Sequence, residues 1–177
     1  GLGDVYKRQV FNDGALNTFT VSAWFKSSIT SQSQVILSTQ PASSNTGFSI
    51  FLGNSTGYLR AQFSAATGSG APIMEHQVNM ADGNWHNVIL AYNDTGGTNN
   101  ASSFMYVDGV DVTSSVTDVN GWSQGSVPTW SSFTTNRVTI GMYFDGSNYI
   151  DSMTGFIDQV RIFNTTLTDA QAEDCYT

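Results

Sequence analysis

Asp108-Gly109 restricts the fold of this chain more than any other pair of residues. The dipeptide favours positive φ at two consecutive positions, as a two-residue type I′ turn requires, and it lies between Ser103 to Val107 and Val110 to Val112. A chain reversed so tightly between two β-rich runs forms a hairpin. Upstream, Trp85 to Tyr92 is short, β-rich and bounded by Asn and Gly, which reads as a strand and not a helix. Val88, Leu90 and Tyr92 fall on one of its faces, with Trp85, Ile89 and Ala91 on the other, so this strand is expected to be covered on both sides. Residues 81 to 112 therefore form the antiparallel centre of the protein.

The same period of two recurs along the chain. Phe19, Val21, Ala23 and Phe25 share a face that excludes Trp24. Phe48, Ile50 and Leu52, then Leu59, Ala61 and Phe63, read as a meander pair with one wet face. Val35 to Thr39 is a short apolar run, whereas residues 65 to 80 are small and polar and read mostly as loop. Val138, Ile140 and Met142 predict a strand, and Phe156 to Phe163 the last long one. In that last strand Asp158 shares parity with Phe156, Val160 and Ile162, a position where a carboxylate costs several kcal/mol unless it is partnered. His86 is the partner the pattern offers, in a bracing and not a catalytic role. Thr168-Asp169-Ala170-Gln171 fits a capping box that opens a helix of two turns. Strands at this spacing predict an all-β fold of two packed antiparallel sheets, a sandwich or jelly roll, with one short C-terminal helix.

Length and charge narrow the function. The 177 residues fit one domain, expected over residues 10–177. Gly1 to Gln9 lacks the later patterning, resembles translated sequencing-adapter read-through, and is expected to be a non-native leader. With 6 Lys and Arg against 14 Asp and Glu, the chain has too few cations to neutralise a phosphate backbone, which argues against nucleic acid as a partner. There is no apolar run of about 18 residues to insert into a membrane as a helix. Cys175, the single cysteine, has no internal disulfide partner.

Four stretches resemble, in order, the signatures of laminin-G-like and pentraxin-like domains of the concanavalin A-like lectin/glucanase superfamily. They are Phe19 to Phe25; Trp85-His86 with Tyr106-Val107-Asp108-Gly109; Ile140-Gly141; and Gly155 to Asn164 closing on Leu167. The resemblance implies a two-sheet antiparallel jelly-roll sandwich and leaves the activity open, because one fold hosts many. Retaining glycosidases of this superfamily carry a Glu-x-Asp-x-x-Glu motif, which is absent; the two glutamates, Glu75 and Glu173, lie far apart in sequence, so an enzyme is not expected.

Two candidate sites remain. Asp145, Asn148 and Asp151 lie on a Gly-containing turn after Ile140-Gly141, where pentraxin-like relatives hold calcium through oxygen ligands. The resemblance implies calcium there, and a plain Asp/Gly turn without an ion is the alternative. Trp122, Trp130 and Tyr149 offer flat rings for sugar stacking, with Asn120 and Gln124 bonding hydroxyls; the alternative is that the loop tryptophans pack the loop onto the sandwich. The expected function is a non-catalytic recognition module that binds a glycan or a protein partner through its loop rim. It would form one domain of a larger extracellular, cell-surface or virion-surface protein. A structural module of a virion tail or fibre, or of a large bacterial adhesin, is the alternative, with a glycoside hydrolase fragment third.

Overall fold

A computed structural model describes residues 18–39, 47–64, 71–94, 101–123, 138–144 and 147–176. Its strands run β1 (Thr18–Lys26), β2 (Gln34–Ser38), β3 (Gly47–Leu52), β4 (Tyr58–Ser64), β5 (Ile73–Asn79), β6 (Trp85–Asp94), β7 (Ala101–Val107) and β8 (Val110–Asp111). They continue as β9 (Thr117–Val119), β10 (Thr139–Ile140), β11 (Tyr143–Phe144), β12 (Tyr149–Ile150) and β13 (Phe156–Phe163), followed by helix α1 (Asp169–Tyr176). One antiparallel sheet has the order β13-β1-β6-β7-β8, and the second β10-β2-β3-β4-β5-β9. The β11-β12 hairpin forms a small third sheet.

The two large sheets bury the faces that the alternation selects. Phe19, Val21, Ala23 and Phe25 of β1 and Val88, Leu90 and Tyr92 of β6 meet Phe48, Ile50, Leu52, Leu59, Ala61 and Phe63 from the opposite sheet. Phe19 stacks on both Phe48 (centroids 4.8 Å apart) and Tyr92 (5.0 Å), which knits the two layers together. The β7–β8 turn has φ of 51° at Asp108 and 79° at Gly109, the two positive values of a type I′ turn.

Helix α1 begins as its capping box requires: the Gln171 amide N–H donates to Thr168 Oγ1 (3.4 Å), and the Thr168 amide donates to Gln171 Oε1 (3.0 Å). It covers the outer face of the first sheet, burying Ala172 against Ile89 and Tyr106. Tyr176 stacks on Trp24 at 5.3 Å. That cover explains why β6 carries apolar residues on both faces.

Three expectations need correction. Residues 73–79, read as loop, form β5, because its outward positions are held by charge and not by apolar alternation. Arg60 of β4 reaches across to Glu75 at 2.5 Å, and Gln77 Nε2 donates to the other carboxylate oxygen at 3.1 Å. The strand expected through Val138, Ile140 and Met142 is only two residues long. It breaks at Gly141, whose φ is 76°, and leaves Val138 and Ile140 exposed.

Asp158 is exposed, not buried. Between Ser22↔Arg161 and Trp24↔Asp158 the strand β1 advances two residues while β13 advances three, so β13 carries a bulge, with Gln159 at φ 49°. The extra residue reverses the parity. Val160 and Ile162 face the core beyond it, Ile157 takes the core position before it, and Phe156 and Asp158 turn outward.

Candidate functional site

The β11–β12 hairpin stands beside the β10 edge of the second sheet. It is tied there by backbone bonds from Val35 N–H to the Asp151 carbonyl (2.8 Å) and from Met153 N–H to the Gly141 carbonyl (2.8 Å). Tyr149 is 55% exposed, and its ring is braced by Phe144 at 5.0 Å with a 49° tilt. Asn148 and Asp151 flank it, both exposed, with Asp151 at φ 51°. These three predicted residues are brought together. Asp145, Trp130 and Gln124 lie outside the described residues.

Calcium takes six to eight oxygens. The Asp151 carboxylate and the Asn148 amide oxygen are oxygen donors of the kind that ion takes, two of the three predicted ligands. Among the described residues no three His, Cys, Asp and Glu side chains gather into a metal cluster.

The other predicted residues sit elsewhere. Asn120, exposed at φ 60°, follows β9, which pairs with β5 at the opposite edge of the second sheet from β10. Five strand spacings of about 4.8 Å put roughly 24 Å of sheet between the two edges. Trp122 is 8% exposed, belongs to the main core, and donates from Nε1 to Ser103 Oγ at 2.9 Å. A ring enclosed in this way has no face for a sugar, and Trp122 packs into the sandwich.

His86 is held between two carboxylates at the opening of β6. Nδ1 lies 2.8 Å from Asp108 Oδ2 and Nε2 lies 3.0 Å from Asp82 Oδ1. An ionised carboxylate only accepts, so both ring nitrogens act as donors and the imidazolium is favoured. Burial pulls the His86 pKa down, but the bonds to Asp108 and then Asp82 outweigh it and leave the value raised. Asp82 is held at about 2, chiefly by the Asn84 backbone and side chain and then by His86. With both nitrogens engaged, this bracket is a brace: Asp108 Oδ1 also accepts from the Asn87 amide at 2.8 Å, joining β6 to the β7–β8 turn.

A raised histidine pKa stabilises the fold below about pH 6.5, the ordinary unfolded value, and that contribution is lost as pH rises through the folded value. His76 is lowered by burial and acts with the opposite sign. The difference in urea midpoint between wild type and His86→Gln is therefore expected to shrink from pH 5.5 to pH 9. A difference that does not change with pH would show the ring to be neutral throughout.

The sequence matches a laminin-G family of the concanavalin A-like lectin/glucanases superfamily over residues 7–173. The chain belongs to this superfamily.

No curated protein matches this laminin-G-like domain in sequence. Solved structures share its fold. The CBM40 domain of a Ruminococcus gnavus IT-sialidase, solved with α2,3-sialyllactose, is 14% identical with a TM-score of 0.68, over 93% of this chain and 85% of that one. Domain 4 of the extracellular arabinanase AbnA from Geobacillus stearothermophilus, solved with arabinotriose, is 17% identical (TM-score 0.65; 96% and 69%). A heptameric SAP-like pentraxin from Limulus polyphemus is 16% identical (TM-score 0.61; 94% and 73%).

One further surface of the laminin-G-like domain escaped the sequence reading. Trp85 and Phe156 are both cross-strand partners of Lys26, so the three side chains form one outward row at the end of the first sheet. Trp85 falls beyond the cover that α1 gives to the rest of β6. Phe156 was assigned to the buried face because periodicity carries no sign of the bulge.

Proposed function

We propose that this chain is a non-catalytic carbohydrate-recognition module that binds sugar at the rim formed by the β11–β12 hairpin. The observation that carries the reading is Tyr149, a half-exposed ring braced from behind by Phe144 and flanked by the hydrogen-bonding groups of Asn148 and Asp151. A braced flat ring with directed polar neighbours is what the apolar face and hydroxyls of a pyranose require. Likeness to two modules solved with bound oligosaccharides supports it. Calcium held by Asp145, Asn148 and Asp151 would fix the hairpin and offer coordination to sugar hydroxyls. The module belongs to a larger extracellular protein.

The test is calorimetric titration with α2,3-sialyllactose and arabinotriose, each with and without millimolar calcium, in wild type and Tyr149→Ala. Binding that falls tenfold or more in the variant is expected, and unchanged binding would move the site away from the hairpin. An ion at 100 times its Kd adds about 2.7 kcal/mol. Calcium should therefore raise the melting temperature by several degrees, and that rise should vanish in Asp145→Ala or Asp151→Ala.

A second reading, an assembly module, is favoured by Val138 and Ile140 at the β10 edge and Ile150 on the hairpin beside it, all exposed. Sedimentation above monomer mass that is abolished by Ile140→Asp would support it.

A further inference from the structure

The outer face of the first sheet carries an exposed aromatic row at the end of the sheet. Lys26 pairs in register with Trp85 of β6 on one side and Phe156 of β13 on the other, and the two rings lean across it until their centroids are 6.2 Å apart at 45°. Trp85 is 43% exposed and Phe156 64%. Two large rings in contact with each other and so open to water are costly apolar surface, and such patches mark binding sites.

Beside them is an open pocket of about 400 Å³, lined by Lys26, Ser28, Ile29, Gly83, Thr154 and Phe156. Its far wall is fixed. Gly83 N–H donates to the Ser27 carbonyl at 2.8 Å, Ser27 Oγ donates to the Thr154 carbonyl at 2.9 Å, and the Thr154 amide donates to Gln34 Oε1 at 2.9 Å. The pocket's wall is thus braced by buried polar groups on three segments.

The charge decides the occupant. Among the described cations, Arg60 is paired with Glu75, and Arg161 donates to Gln159 Oε1 at 2.7 Å. Among the described residues Lys26 has no carboxylate partner, in a chain of net charge -8. Asp158 stands on the same face one row further in, and Asp82 is engaged by Asn84 and His86, so the ammonium is the positive point between the rings and the pocket.

We infer that this row and pocket bind an acidic saccharide, a pyranose carrying a carboxylate. Its apolar face lies on Trp85 and Phe156 and its carboxylate on Lys26. An ammonium attracts the carboxylate directly, and the rings provide the flat apolar area that a sugar face covers. A second copy of the chain fits poorly, because two chains of net charge -8 each repel. The site is independent of the hairpin and stands or falls without it.

The test is a ¹H–¹⁵N titration of the full chain with methyl glucuronoside and methyl glucoside, which differ only at the carboxylate. The glucuronoside is expected to shift the Trp85 indole and the amides of residues 26–29, 83 and 154–156 at millimolar concentration, with the glucoside at least fivefold weaker. Lys26→Gln should erase that preference, and Phe156→Ala, an exposed position, should weaken both sugars tenfold while the core resonances stay in place. Equal binding of the two sugars by wild type overturns the assignment, as does a preference that survives Lys26→Gln. Shifts confined to residues around Tyr149 overturn it too, while leaving the hairpin site standing. Concentration-dependent broadening of the same amides without sugar would make a second copy the occupant and overturn it as well.

Discussion

Gly155→Ala is expected to lower the melting temperature by about 10 °C or more. A Cβ built at Gly155 would stand 2.0 Å from the Lys26 carbonyl oxygen and 3.3 Å from the Ser27 Cα. The obstacle is backbone, and it cannot step aside, because β1 is hydrogen-bonded to β6 on one side and β13 on the other. Relief therefore requires the start of β13 to part from β1. Forced separation of a paired strand belongs with the exceptional losses of about 4 kcal/mol or more. For a domain of this size each kcal/mol is worth about 2–4 °C. Differential scanning calorimetry checks it. A drop under about 4 °C would mean that the turn before Phe156 yields locally, and the amides of residues 152–156 would then lose protection alone.

Arg60→Ala is expected to cost about 3 kcal/mol, the scale for stripping one partner from a buried ion pair. The Glu75 side chain is 7% exposed and that of Arg60 28%, and both Nε and Nη2 of Arg60 reach Glu75 Oε2. Without the guanidinium, the bond from Gln77 is the one the carboxylate keeps among the described residues. Gly53 belongs to this arrangement, since a Cβ there would meet the guanidinium carbon at 3.0 Å. The double variant Arg60→Leu with Glu75→Leu removes the charge as well as its partner and is expected to recover most of the loss. Urea unfolding of the two variants makes the comparison. If the double variant is as unstable as the single one, the pair is worth its packing and not its charge balance.

Much of the fold can be read from residues alone, where one physical signal acts by itself. The alternation of Phe19, Val21, Ala23 and Phe25 gives a core face directly, Asp108-Gly109 gives a turn, and Thr168 with Gln171 gives a helix start. Reading fails where a second signal intervenes. β5 is held across the sheet by Arg60, and the partner of Glu75 lies 15 residues away in sequence. His86 was expected to brace Asp158, yet its partners are Asp82, four residues before it, and Asp108 at the hairpin turn.

The placement of the candidate rim residues was legible in part. Tyr149, Asn148 and Asp151 are near in sequence and near in space. Asn120 was grouped with them by composition, but sheet order decides distance, and β9 and β10 are opposite edges of one sheet. Trp122 had two readings in the sequence, and the Ser103 hydroxyl that receives its N–H favours the enclosed one.

The bulge at Gln159 gives β13 two different tolerances to change. Residues after it are locked in phase with the interior, so Val160 and Ile162 admit few substitutes. Residues 156 and 158 are out of phase with the interior, and almost any side chain can stand there without disturbing the sandwich. A single inserted residue thus changes which positions must be kept: Ile157 before it and Val160 and Ile162 after it hold the interior, while positions 156 and 158 can be rewritten. The open end of the first sheet can acquire a new surface chemistry by substitution at two positions, without remaking the core beneath it.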